Sequence, residues 1–235
     1  MNDTVRPESA AGTESATQLY DASTARIAAL VRDADPSTPV DACPGWTVEQ
    51  LVAHLAGGLG DFLARRFDLA PGDDFGERTV RERRGQAVAE SLAEWERHRA
   101  EAGDLLASPM GGVLVAEVVS HEQDLRTALG RPGARTDPGV RVGLTRPLEQ
   151  IDQRLRESGG PAVRLMIDDE KEHRTIGEGE PVATLRVSAY DLLRTIGGRR
   201  THDQARALDW DGDAEAALDS LTLFGSFRDT PLRGE

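Results

Sequence analysis

The apolar residues of this chain change their period near residue 130, and that change constrains the architecture more than any other feature. Before it, they recur three or four positions apart, the spacing of a helix with one buried face. A first helix is expected from about Gln18 to Asp33, with Leu19, Ile27, Leu30 and Val31 inward. Pro36 and Pro39 then break the chain. A second helix begins at a capping box, Thr47 with Gln50 three positions on, and Trp46 and Leu51 fit a hydrophobic staple. Val48, Leu51, Val52, Leu55, Leu59 and Phe62 continue it. Residues 68–77 form a loop, and one long helix is expected from about Thr79 to Leu106, with Val88, Leu92, Trp95, Ala102 and Leu106 as its stripe. A fourth follows from about Met110 to Leu129, closed by Gly130, Pro132 and Gly133. Four helices joined by short loops read as a four-helix bundle.

After residue 130 the texture differs. One more helix is expected over 138–157, interrupted near Pro147. VRLMIDD (163–169) and ATLRVSA (183–189) alternate as strands do, with a charged, hairpin-like stretch between them. AYDLLRTIGGRR and AEAALDSLTLFG read as short helices, the first closed by Gly197 and Gly198. The expected fold is therefore α+β with two domains. Residues 1–16 are expected to be disordered, 17–130 to form the bundle, 131–160 to be a linker and connecting helix, and 161–230 to form a small α+β domain.

Charge narrows the functional classes. The chain has 235 residues, 28 of them basic and 41 acidic, for a net charge of -13. Such a field repels phosphate backbones and anionic lipid, so nucleic-acid and membrane-surface partners are excluded as first readings. No apolar run approaches the roughly 18 residues of a membrane span. The N-terminal stretch lacks the apolar core of a signal peptide, and the single cysteine, Cys43, permits no internal disulfide. Both point to a reducing cytoplasm. The acid excess lies mainly before residue 130, leaving arginines of the C-terminal part as the place to hold an anion. Arg199, Arg200 and Arg228 are the candidates. Lys171 is the sole lysine.

The fourth helix carries the chemistry. Glu117 and His121 are four positions apart and fall inside its apolar stripe of Met110, Val113, Leu114, Val118, Leu125 and Ala128, and Asp124 lies there too. Glu122 and Arg126 point toward solvent in the same projection. Ionisable groups facing a bundle core need partners, and a divalent metal is one such partner. His54, at the edge of the second helix's stripe, is the best third ligand. Three protein ligands leave room for water or substrate, which distinguishes a catalytic site from a structural one. Asp124 could orient a ligand imidazole. A plain i,i+4 ion pair is the competing account of Glu117 and His121. His98 borders its helix's stripe and could line the pocket, whereas His173 and His202 read as solvated. Cys43 has no base beside it in the sequence and reads as a small buried thiol.

CPGWTVEQLVAHLAGGLGDF, EVVSHEQDLRTALGRPG and ATLRVSAYDLLRTIGGRRTHDQARALDWDGD together resemble the mycothiol-dependent maleylpyruvate isomerase family, over about residues 18 to 230. The resemblance implies a DinB-like metal-binding bundle followed by a sterol-carrier-like domain. It also implies a metal held by a histidine of the second helix and a glutamate and histidine of the fourth, which fall on His54, Glu117 and His121. It implies zinc as the metal, mycothiol as thiol cosubstrate, and a small electrophilic or anionic second substrate. The reaction would be cis-trans isomerisation or thiol transfer by a monomer or weak homo-oligomer. The alternative is a non-catalytic metal-bound binding or regulatory protein with a small-molecule site between its domains.

Overall fold

The computed structural model describes residues 14–69, 74–168, 173–223 and 226–234. Its helical part starts with α1 (Ala16–Val31), capped by Ser15, and α2 (Val48–Ala64), capped by Thr47. Both show full capping boxes, with Gln18 and Gln50 returning the bond to the cap backbone. Most of the stretch expected to be disordered, 1–13, lies outside the described residues, but Ala16 already belongs to α1.

The long helix expected from Thr79 to Leu106 is instead three: α3 (Phe75–Glu82), α4 (Val88–Glu101) and α5 (Gly103–Ala107). Gly85 supplies the first break by taking a φ of +81°, a value glycine reaches without strain. Arg83 folds over the break and grips Glu94 with Nη2 to Oε1 at 2.6 Å, while Glu90 caps the backbone of Ala87. α3 also starts inside the expected loop, because Asp74 caps it. Burial opposes the Glu94 charge, but the Arg83 and Gln86 hydrogen bonds outweigh it and hold the carboxyl below its ordinary value. The ionised carboxylate therefore stabilises the fold above its unfolded pKa, and that contribution fades as pH falls through the lower folded value. Glu94→Gln is expected to cost about 1 kcal/mol at pH 7 and to flatten the acid limb of stability, read from urea unfolding at pH 7 and pH 3.

α6 (Met110–Ala128) and α7 (Pro138–Ser158) complete the helical part. α6 packs on α1 and on α7, so it is buried on more than the one expected stripe. Val115 and Val119 are inside, and so is Glu122, where solvent was expected. The Glu122 carboxylate is taken by Arg26 at 2.8 Å and by Arg126 at 2.9 Å. α7 runs unbroken through Pro147, contrary to the expected interruption. Its buried residues Val140, Leu144, Leu148, Ile151 and Leu155 pin both halves. Gly143, one turn before the proline, also lets the backbone close on Ala116.

The remainder is a four-stranded sheet in the order β2-β1-β3-β4. β1 (Val163–Ile167) and β3 (Ala183–Val187) are the two expected strands and run parallel with Leu165 beside Leu185, while β2 (Arg174–Ile176), an unforeseen strand within the charged stretch between them, pairs antiparallel with β1. α8 (Ala189–Ile196) and α9 (His202–Arg206) follow, then β4 (Asp209–Gly212) and α10 (Ala214–Leu218). α9 and β4 were not foreseen, and α10 covers only the start of the expected last helix. Val163, Leu165, Ile167, Ala183, Leu185 and Val187 turn one sheet face inward. α7 reaches both α6 and α8, so one helix joins the bundle to the sheet layer. No helix among the described residues is long and apolar enough to cross a membrane.

Candidate metal centre

α2 and α6 place His54, Glu117 and His121 around one point. His54 Nε2 lies 2.8 Å from Glu117 Oε1, and His121 Nε2 lies 3.3 Å from the same oxygen. The far side of each ring is anchored. Thr79 donates its hydroxyl hydrogen to the Gly76 carbonyl at 2.7 Å, so its oxygen can only accept from His54 Nδ1, 2.9 Å away. Asp124 is a carboxylate, so it accepts from His121 Nδ1 at 3.1 Å. Both rings thereby carry hydrogen on Nδ1 and turn Nε2 toward Glu117. At these separations an Nε2 either donates a proton to the carboxylate or shares a cation with it.

The donor set fits a divalent metal. Imidazole nitrogens and carboxylate oxygens bind zinc at about 2.0–2.2 Å, which puts neighbouring tetrahedral donors about 3.3 Å apart. His121 Nε2 and Glu117 Oε1 already have that separation. The electrostatics agree. Burial opposes the Glu117 charge, but the His121 and His54 imidazoles hold the carboxyl well below its ordinary value. Burial likewise opposes charge on His121, but Glu117 and Asp124 keep its pKa well above the ordinary one. A field that favours a proton on His121 favours a cation in its place. Protein surrounds the Glu117 carboxyl, yet water reaches 47% of its side chain through a cavity, so the centre has an open side.

Trp46 and Phe75 shield His54. The Trp46 ring lies 4.9 Å from the imidazole, and its Nε1 donates to Glu77 at 2.7 Å. Phe75 meets the imidazole edge-on at 6.5 Å. Thr79 escaped the sequence reading because it was placed at the start of one long helix, where nothing marked it as a partner of His54. Thr79→Val keeps the shape and removes the acceptor. It is expected to weaken metal binding about 10- to 100-fold, measured by competition with a chelating dye, with little change in helicity.

Asp124 does more than orient His121. It is wholly buried and accepts Arg194 Nη1 at 2.6 Å and Arg199 Nη2 at 2.8 Å. Burial opposes its charge, but the two guanidiniums hold the carboxyl well below the ordinary range. Arg199, expected as an anion site, is thus already engaged at the centre, and Arg194 was not foreseen. Arg200 does not reach the centre: it pairs with Asp191 at 2.8 Å. Arg228 lines a different cavity, beside Trp46 and Thr47. His98 is also elsewhere, its Nδ1 donating to the Ala56 carbonyl at 2.9 Å on the far side of α2. His173 is exposed, and His202 meets Glu215 at 3.4 Å.

Cys43 has an imidazole and a carboxylate beside it, which its neighbours in the sequence did not show. Its Sγ lies 3.8 Å from His121 Nδ1 and 3.6 Å from Asp124 Oδ2, brought there by a tight turn in which Gly45 takes a φ of +88°. Cys43, His121 and Asp124 could together offer three ligand atoms. Two guanidiniums on the same carboxylate oppose a second cation there, so the three read as the support of the first centre.

Beyond Glu117 and His121 opens a cavity of 540 Å³ between α6, α7 and α8, which Arg199 also lines.

Residues 17–109 match the family model described as the mycothiol maleylpyruvate isomerase N-terminal domain. The match includes His54 and stops before α6. A crystal structure of the mycothiol-dependent maleylpyruvate isomerase aligns at 16% identity and a TM-score of 0.54, over 78% of this chain and 88% of that one. A histidine-to-alanine mutant of that isomerase aligns equally well, at 15% identity, the same TM-score of 0.54 and the same shares. No curated protein matches the chain. Residues 17–109 are therefore similar to the mycothiol maleylpyruvate isomerase N-terminal domain, and the chain shares the two-domain α+β fold of the mycothiol-dependent maleylpyruvate isomerase.

Proposed function

We propose that this protein is a metal-dependent enzyme of the maleylpyruvate isomerase type, which uses the thiol of mycothiol for cis-trans isomerisation or thiol transfer. The observation that carries the reading is the paired anchoring of the imidazoles. Thr79 and Asp124 hold the Nδ1 atoms so that both Nε2 atoms face one Glu117 oxygen. His54, Glu117 and His121 would hold the metal, with zinc expected for this donor set. When bound, the metal would lower the thiol pKa and keep a thiolate at neutral pH.

The chain's own residues do the remaining work. Thr79 and Asp124 fix the imidazole tautomers. Trp46 and Phe75 keep water from the His54 side. Arg199 balances Asp124, so the buried carboxylate stays ionised beneath His121. The 540 Å³ cavity beside Glu117 receives the second substrate. Cys43 faces the Nδ1 side of His121, away from that cavity, so the reacting sulfur comes from outside the chain. A single cysteine and a small-thiol partner both suit a reducing cytoplasm.

The test is metal analysis combined with calorimetric titration of mycothiol. One metal per chain and saturable thiol binding only in the loaded protein are expected. Bound metal without thiol binding would return the chain to a non-catalytic binding role. A protein that takes up no metal would overturn the proposal.

A further inference from the structure

We infer that Tyr20 is a positioning residue of the metal centre, which steadies the Glu117 carboxylate through one buried water. The inference rests on the metal-binding reading above and adds a residue of α1 to the support of that site.

Tyr20 is 3% exposed, and no step of the proposed reaction uses it. Trp95 Nε1 donates to its hydroxyl oxygen at 2.8 Å, with the two rings edge to face. An indole nitrogen is only a donor, so the phenol keeps its own hydrogen for another acceptor. Among the described residues no acceptor takes that hydrogen, whereas buried polar groups as a rule have partners. Burial raises the phenol pKa well above its ordinary value; the Trp95 bond opposes this rise and the Glu117 charge adds to it. The hydrogen therefore stays on the oxygen.

The matching acceptor lies across a small cavity. Tyr20, His54 and Glu117 line it, with Gly58, Leu114 and Val118 among the rest. Its 20 Å³ holds one water, which requires roughly 10–15 Å³ and at least two polar partners. Both His54 nitrogens are engaged, Nδ1 by Thr79 and Nε2 by Glu117 Oε1. Oε1 also faces His121. Glu117 Oε2 is left without a partner among the described residues. A water that accepts from Tyr20 and donates to Oε2 satisfies both groups, in a chain from Trp95 through Tyr20 to Glu117.

The tether matters because Glu117 also borders the 540 Å³ cavity, where solvent reaches 47% of its side chain. Untethered, the carboxylate can rotate away from the two imidazoles toward bulk water. A hydrogen bond to Oε2 from the inner side keeps Oε1 at the metal position.

Two variants break the link at different points, and competition with a chelating dye reads both. Tyr20→Phe deletes the hydroxyl alone. Gly58→Ala alters neither a ligand nor Tyr20. Gly58 lies one turn after His54, and an added methyl meets nothing nearer than Phe75 Cε1 at 3.9 Å. That methyl is about the size of a water, points back toward His54 as helical Cβ atoms do, and fills the cavity. Each variant is expected to bind zinc about tenfold more weakly, as when the partner of a ligating carboxylate is removed. The double variant is expected to bind no more weakly than either alone, because one shared link is lost. Gly58→Ala is expected to keep or raise the Tm, since alanine suits a helix interior better than glycine, whereas a merely structural defect would lower it. The visible bands of the cobalt-loaded protein are expected to shift alike in both variants. Tyr20→Phe also leaves Trp95 Nε1 without its acceptor. If it unfolds, the comparison passes to Trp95→Phe against Trp95→Phe/Tyr20→Phe, which differ only in the hydroxyl. Unchanged zinc affinity on loss of the hydroxyl or in Gly58→Ala, or additive losses, would overturn the inference and leave the metal-binding reading standing. A wild-type protein that takes up no metal would overturn both.

Discussion

His54→Ala is expected to lose the bound metal and the thiol-dependent turnover together, while the helices stay folded. Two donors remain after the change, Glu117 and His121, both from one face of α6. With no donor from α2, the cation would be held from one side only. Losing a partner behind a ligand costs about 10- to 100-fold in affinity, so losing the ligand itself is expected to exceed about 100-fold. The fold has less at stake. The His54 ring makes one hydrogen bond besides the Glu117 contact, to Thr79, and Thr79 keeps its bond to Gly76 without it. Metal content after dialysis, mycothiol calorimetry and far-ultraviolet circular dichroism form the readout. Metal retained at one per chain in His54→Ala would remove His54 from the centre. Lost helicity would shift the comparison to His54→Gln, which keeps a polar side chain of similar reach.

The three candidate ligands were legible because each sits on a strongly periodic helix. Thr47 and Gln50 set the start of α2, and the stripe of Leu51, Leu55 and Leu59 then fixes where His54 points. On α6 the four-residue spacing of Glu117 and His121 required no knowledge of any other element. What surrounds them was hidden for a different reason. Cys43 arrives on a turn between Pro36 and Thr47 that has no period to project. Arg194 and Arg199 reach Asp124 from 70 and 75 positions away. A sequence shows how many arginines a segment holds but not which acids they will meet, and so the C-terminal arginines read as free for an anion. Glu122 misled in the opposite sense. A one-stripe projection assumes one buried face, whereas α1 and α7 cover α6 from two directions and Arg26 supplies the countercharge. Pro147 was read by its local rule alone, and tertiary packing along α7 outweighed it.

Asp124→Ala is expected to cause the largest loss of stability of any single substitution at the centre. The carboxylate is wholly buried on α6, and both of its arginines come from the sheet layer, Arg194 from α8 and Arg199 from the turn after it. The contact therefore fastens the bundle to that layer and supports His121 at once. Removing it leaves the Arg194 guanidinium inside the protein and short of its anion, where breaking a buried pair costs about 3–5 kcal/mol. In a chain of this size that corresponds to a fall in Tm of the order of 10 °C. Asp124→Asn separates charge from shape. It keeps an acceptor oxygen for one arginine but supplies no negative charge, so it is expected to fall between wild type and Asp124→Ala in thermal stability. Its metal affinity is expected to drop about 10- to 100-fold, since an amide supports His121 Nδ1 less strongly than a carboxylate does. Arg199→Gln provides the internal check. Asp124 then keeps Arg194, so the stability loss should be smaller than that of Asp124→Ala. The two losses should also fail to add in the double variant, because they remove one shared contact. Additive losses would show that Asp124 and Arg199 act independently, and the fastening of the two layers through this carboxylate would have to be abandoned.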